Sequence, residues 1–425
     1  MQITHVRTAV IEGNFDWTIV RIDTDRDIYG LGESFCAPGL TAIIRDLAPL
    51  LIGEDPRHVD RLWNKLRWAA SGAGSQAGIV YNAISGIETA LLDITGKYYN
   101  APLWQLLGGK YRDRVRIYAD CHAGEALESL SALMVARRPR WLPTDEAEAL
   151  PCGLASELNR PAHGRAYGSP QLSDIFTPEL YARRAREVVA LGFTALKFDL
   201  DVPNPYTHDS FNGVLSHAEI RYMTRLVEAV REAVGDTIDI AFDCHWRYNV
   251  SDAIRLACAL EPYGLAWLED PVPPDNIEAM RRVREATRTP ISSGENYYLR
   301  YGFREALERH ALSIVAPDLQ KCGGLLEARR IADLADTYYV AMAPHNISSP
   351  IGFVAAAHVC AAIPNALTLE FHALSVPFWD ELVQGGAQPL IQNGYISVPD
   401  APGLGIELNE AVARRYARDD EPFFA

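Results

Sequence analysis

The chain has 425 residues, 48% of them hydrophobic and 22% charged, with a formal net charge of −15. That length exceeds one ordinary hydrophobic core, so two domains are expected, and the composition is that of a globular enzyme rather than a disordered chain. The acidity argues against nucleic acid, whose binding draws on clustered Lys and Arg. No run reaches the roughly 20 apolar residues that span a bilayer, so no membrane partner is expected. The opening MQITHVRTAVIEG lacks a basic segment followed by an apolar core, so no signal peptide is read. Seven cysteines without CxxC spacing fit buried thiols in a reducing cytoplasm, where the protein is expected.

In chain order, residues 1–114 read as an α+β capping domain. It has strand-like pieces (ITHVRTAVIEG, TIVRIDTD), a Gly-rich turn at YGLGESFCAPG and a helical stretch IVYNAISGIETALLDITGKYYN. From 115 to 395 apolar runs alternate with amphipathic helices: VRIYAD, ALKFDL, IDIAFDCH, LAWLED, PISSGE, IVAPDL, VAMAPH and ALTLEF. This predicts a parallel (β/α) barrel, an α/β fold whose strands are buried on both faces. A doubly wound open sheet is the alternative, but no GxGxxG or GxxxxGK follows any strand. Residues 396–425 form a tail expected to pack back on the cap.

The polar residues collect at the C-terminal ends of these runs, where barrel enzymes keep their chemistry. Asp243, Glu269 and Glu295 end three successive runs at equal intervals of 26 residues. That spacing matches one strand–helix unit, so the three acids come to one end of neighbouring strands. Carboxylates that close repel or keep protons unless a cation joins them, and an all-oxygen set suits Mg²⁺ better than Zn²⁺. Alternation puts Lys197 and Asp199 on one side of the second run and relates His245 to Asp243 in the third. Asp318, His345 and Glu370 end the last three runs. Singly, Lys197 could cap a strand, His345 could be a satisfied core histidine and Asp318 a helix cap; together they favour an active site.

With these residues in view, the chain resembles the enolase superfamily, in its mandelate racemase and muconate lactonizing enzyme branch. The resemblance covers nearly the whole length, including GEN at Glu295, QKCGG after Asp318 and the tail ISVPDAPGLGIELN. It implies a (β/α)7β barrel under the cap, with Mg²⁺ held by Asp243, Glu269 and Glu295. It also implies a His345–Asp318 dyad that removes the proton alpha to a carboxylate, Lys197 as a fixed positive charge, and Glu370 as the eighth-strand acid. Racemases of the family carry Lys-x-Lys on the second strand; here the second position is Asp199, which counts against racemisation. His245 is instead placed to protonate a leaving β-hydroxyl, as in the gluconate- and galactonate-type dehydratases.

The implied reaction is Mg²⁺-dependent dehydration of a small anionic sugar acid to a 2-keto-3-deoxy acid. The alternatives are a racemase or epimerase with Asp199 or His245 as second base, and a non-catalytic binding protein on the same fold. Substrate contacts are expected from Asp199, Trp246, Arg165 and Tyr167, the last two in an expanded stretch at about 125–176 that also holds Arg160 and His163. A homo-oligomer is expected.

Overall fold

The computed structural model describes residues 1–72, 77–121, 141, 176–202, 204–209 and 212–425. The chain opens with an antiparallel meander, β1 (Ile3–Glu12), β2 (Asp16–Thr24) and β3 (Tyr29–Ser34). Helices α1 (Leu40–Leu47), α2 (Val59–Ser71), α3 (Ile79–Tyr99) and a short α4 (Leu103–Leu106) follow. β3 corrects one expectation, since the segment YGLGES is a strand and not a turn. Its glycines answer to packing: a Cβ added at Gly30 or Gly32 would stand 2.0 Å from the Ala90 carbonyl or 2.1 Å from that of Gly86, both on α3. Lacking side chains, these positions let sheet and helix approach backbone to backbone.

The eight predicted barrel runs form β4 (Arg114–Asp120), β5 (Ala195–Asp199), β6 (Asp239–Asp243), β7 (Trp267–Glu269), β8 (Ile291–Ser293), β9 (Ile314–Val315), β10 (Ala341–Met342) and β11 (Leu369–Phe371). Each strand from β4 to β10 pairs in parallel with the next, and β11 returns to pair with β4. The segment entering β11 also meets β10: the Met342 amide donates to Asn365 O at 2.9 Å and the Leu367 amide to Met342 O at 2.8 Å. Inside this ring Tyr118 and Trp267 meet edge to face at 5.1 Å over Ala195, Ala241 and Ala343. Large aromatics against small alanines fill the barrel floor and leave the C-terminal ends of the strands for polar groups.

The covering helices are α5 (Pro178–Ala190), α6 (His217–Val234), α7 (Val250–Leu260), α8 (Ile277–Ala286), α9 (Leu299–Glu308), α10 (Leu325–Asp336) and α11 (Pro350–Ala362). Their starts are written locally. Thr177 caps α5 ahead of Pro178, Ser216 and Glu219 form a reciprocal capping box on α6, and Asn249 and Asn276 cap α7 and α8. α11 is buried at every position and has no polar face, because the barrel lies on one side and the cap and α4 on the other. The tail returns to the cap, with the Arg418 amide donating to Val10 O at 2.9 Å and that of Phe424 to Thr8 O at 2.8 Å.

Cap and barrel are joined by buried acids set against helix starts. Glu33 of β3 accepts the backbone amides of Ser349 at 2.9 Å and Gly352 at 3.0 Å, together with the Ser349 hydroxyl. Glu88 of α3 accepts the amides of Leu325 and Leu326 at 2.8 and 2.9 Å. Each carboxylate thus supplies the missing acceptor for a first helical turn. Among the described residues no helix is long and apolar enough to cross a membrane.

Candidate active site

Strand register assembles the site. Asp199 pairs with Asp243 and Asp243 with Glu269, which sets these acids side by side on β5, β6 and β7. Glu295 lies just past β8, after Gly294, whose φ of 145° and contact with the Ala316 backbone leave no room for a side chain. One carboxylate oxygen from each of Asp243, Glu269 and Glu295 lies within 4.8 Å of the other two. All three residues are buried. An all-carboxylate set of this kind fits a hard divalent cation such as Mg²⁺.

Lys197 stands among these acids, 2.9 Å from Glu269, 3.3 Å from Asp243, 2.8 Å from Glu370 and 3.6 Å from Asp120. Burial alone would lower its pKa, but Glu269 and Glu370 hold the ammonium well above its ordinary value. Burial also opposes the charge on Asp243, where His245 and Lys197 outweigh it and keep the carboxyl well below the usual range. On Glu269 burial wins, helped by Asp243, and drives the group well above that range. Asp270, beside Glu269, is pushed up to about 8 by burial and by Glu295 and Asp243. A cation among these carboxylates would favour the ionised forms of Glu269 and Asp270, which burial and their acidic neighbours disfavour.

Two imidazoles border the carboxylate row at opposite ends. His345 places Nδ1 2.7 Å from Asp318 Oδ2 and Nε2 3.2 Å from Glu295. Burial disfavours its charged form, yet Glu295, Glu370 and Asp318 raise it to about 10. Glu370 accepts the Asn346 amide at 2.9 Å, which fixes it beneath His345. At the other end His245 donates its amide to Asp243 Oδ1 at 2.8 Å and places Nε2 3.8 Å from Asp243 Oδ2. Burial again opposes the charged ring, but Asp201, Asp243 and Asp199 raise its pKa well above 6.5. His245 and Trp246 both adopt left-handed backbone, with φ of 40° and 60°.

The sequence-predicted residues His345, Asp318, His245, Lys197, Glu370, Asp243, Glu269, Glu295 and Asp199 therefore gather at one mouth. Trp246 lies beside them, its ring 5.6 Å from that of His245 and its indole N–H without an acceptor among the described residues. Arg165 and Tyr167, like Arg160 and His163, lie outside the described residues. The sequence reading missed Asp201, whose Oδ1 is 2.8 Å from His245 Nδ1, and His372, whose Nε2 is 3.7 Å from Asp120. It also missed Asn14 of the cap, which donates to the His372 carbonyl at 3.1 Å. Alternation was the available signal for two of these, since Asp201 follows Asp199 and His372 follows Glu370 by two residues.

Residues 5–108 match the family model of the mandelate racemase / muconate lactonizing enzyme N-terminal domain, and residues 180–412 that of the enolase C-terminal domain-like family. A D-xylonate dehydratase of Haloferax volcanii is 43% identical over 423 residues, covering 100% of this chain and 90% of that protein. A D-galactarolactone cycloisomerase of Agrobacterium fabrum is 28% identical, covering 99% of this chain and all of that one. The crystal structure of a mandelate racemase/muconate lactonizing enzyme-like protein from Rubrobacter xylanophilus superposes with a TM-score of 0.86 at 42% identity, covering 100% of this chain and 99% of that one. The chain belongs to the mandelate racemase/muconate lactonizing enzyme family of the enolase superfamily.

Proposed function

We propose that this protein is a hydro-lyase that dehydrates an aldonic acid of five or six carbons to its 2-keto-3-deoxy acid, with Mg²⁺ at Asp243, Glu269 and Glu295. The observation that carries the reading is the pair of imidazoles at the two ends of the carboxylate row, one beside Glu295 and one beside Asp243. Two such groups on opposite sides of a bound acid can take a proton from C2 and deliver one to the oxygen on C3. The full-length likeness to a D-xylonate dehydratase supports both the reaction class and an aldonate substrate. The cycloisomerase relative cautions that 28% identity leaves the reaction to individual side chains, and here Asp199 stands where a racemase would need its second lysine.

When bound, the cation supplies positive charge for the substrate carboxylate and for the second negative charge that appears on its oxygens. In its neutral form, which positive charge at Glu295 would favour, His345 removes the C2 proton through Nε2, and Asp318 holds Nδ1–H and keeps that tautomer. Lys197 remains charged among its acids and adds fixed positive potential at the carboxylate end. His245 then donates from Nε2 to the leaving 3-hydroxyl, releasing water and an enol that becomes the 2-keto acid.

The test is proton NMR in deuterated water on a panel of acid sugars that includes D-xylonate, with Mg²⁺ present and then chelated. Metal-dependent loss of the C2 proton together with keto-acid signals is expected. His345→Asn should reduce both by about 10² to 10⁴. Appearance of the C2 epimer without loss of water would overturn the reading in favour of an epimerase.

A further inference from the structure

The two imidazoles are supported alike. Behind His345 lies buried Asp318, 2.7 Å from Nδ1, and behind His245 lies buried Asp201, 2.8 Å from Nδ1. Asp318 stands on the strand before its histidine's, and so does Asp201, just past β5 where His245 follows β6. His245 needs such a support more than His345 does. Its φ of 40° takes it out of the strand's alternating geometry, and 31% of its side chain is exposed. A partly exposed ring is less confined by packing, and each staggered rotamer would aim Nε2 elsewhere.

Resting on the dehydratase reading above, we infer that Asp201 is the positioning residue of His245, giving the site a second His–Asp dyad. Asp201 accepts the Nδ1 proton, which leaves Nε2 as the nitrogen that faces the carboxylate row and exchanges a proton with substrate. In the elimination the C3–O bond breaks with its electron pair on oxygen, and the enediolate pair forms the C2–C3 double bond. The Nε2 proton completes the water. The ring is left neutral with Nδ1–H still on Asp201, so the next proton enters at Nε2 and the cycle closes on the same tautomer. Asp199, with a carboxylate oxygen within 4.8 Å of both Asp201 and His245, adds negative charge on the same side.

The experiment uses the Mg²⁺-loaded full chain and the variants Asp201→Ala and Asp201→Asn, read by two measurements. The first compares keto-acid formation with C2 proton exchange in deuterated water. Asp201→Ala should slow keto-acid formation by about 10- to 100-fold, the usual cost of removing a residue that orients a working group. Exchange driven by His345 should stay near the wild-type rate. Asp201→Asn, whose side-chain oxygen can still accept Nδ1–H, should recover part of the loss. Elimination unchanged in the Ala variant, or elimination and exchange falling together in both variants, would overturn the inference. The second measurement is nitrogen NMR of the His245 ring, assigned with His245→Asn, which needs no substrate. At alkaline pH, where the ring has become neutral, an Nδ1-protonated tautomer in the wild type that is lost in Asp201→Ala is expected, and the same neutral tautomer in both would overturn the inference. If the wild type acts on no acid sugar, the dehydratase reading falls and the ring NMR alone decides the role of Asp201.

Discussion

At the junction of cap and barrel, buried acids meet backbone amides; at the barrel mouth they meet one another. Glu33 and Glu88 sit against the first turns of α11 and α10, and Asp93 accepts the amides of Leu31 at 2.9 Å and Leu404 at 2.8 Å. His358 is equally complete, with Nδ1 3.2 Å from the Trp104 amide and Nε2 3.0 Å from the Leu404 carbonyl. Helix starts and free amides carry fixed partial positive charge, so each of these groups finds its hydrogen-bond partners within the chain. At the mouth, Asp243, Glu269, Asp270, Glu295 and Glu370 share Lys197 and two histidines; Asp243 is held below the usual carboxylate range while burial drives Glu269 and Asp270 above it. The first arrangement is finished when the chain folds. The second is completed by a cation and a substrate, which is how a protein can bury charge for structure in one place and keep charge for chemistry in another.

The sharpest way to break the contrast is to remove Lys197. Lys197→Met leaves Glu269 and Glu370 without their close cation, and losing one partner of a buried ionic network costs about 3 to 5 kcal/mol. Denaturant unfolding without metal should show that loss, and Mg²⁺ should restore more stability to the variant than to the wild type. Equal effects of Mg²⁺ on both would mean that Lys197 and the cation do not offset the same acids.

A second prediction concerns the junction and pH. Burial lowers the pKa of His358 from 6.5 to about 4, so in that window the unfolded chain binds more protons than the fold does. Stability from this group is therefore present above pH 6.5 and lost as pH falls toward 4, by about 3 kcal/mol in all. His358→Gln should flatten the acid limb of stability against pH. The raised acids Glu33 and Glu88, each at about 7, act with the opposite sign below neutrality, so the wild-type-minus-variant difference is the quantity to plot. An acid limb equally steep in both proteins would show that His358 is not its source.

The smallest effect separates structure from chemistry. Glu88→Gln puts an amide NH₂ against one of two backbone donors and should cost about 1 to 2 kcal/mol in unfolding experiments. C2 proton exchange should be unchanged at temperatures where the variant is folded. A variant with native stability would mean that Glu88 does not secure the cap.

The sequence by itself determined the barrel and most of its mouth, because a strand–helix unit has a nearly constant length and strand side chains alternate. Equal 26-residue intervals place Asp243, Glu269 and Glu295 together, and the same geometry places Lys197, His345 and Glu370. Tertiary structure decided what those two periodicities do not encode. The glycines of YGLGES read as a turn until α3 lies against them, since a close backbone approach involves residues far apart in sequence. Asp201 is legible as a polar residue after a strand, but its 2.8 Å contact is with a histidine on left-handed backbone, which strand alternation does not place. The contact of Asn14 with His372 spans 358 residues and depends on how the cap docks. Local period and spacing fix which residues reach the mouth; the packing of separate elements fixes which atoms face each other there.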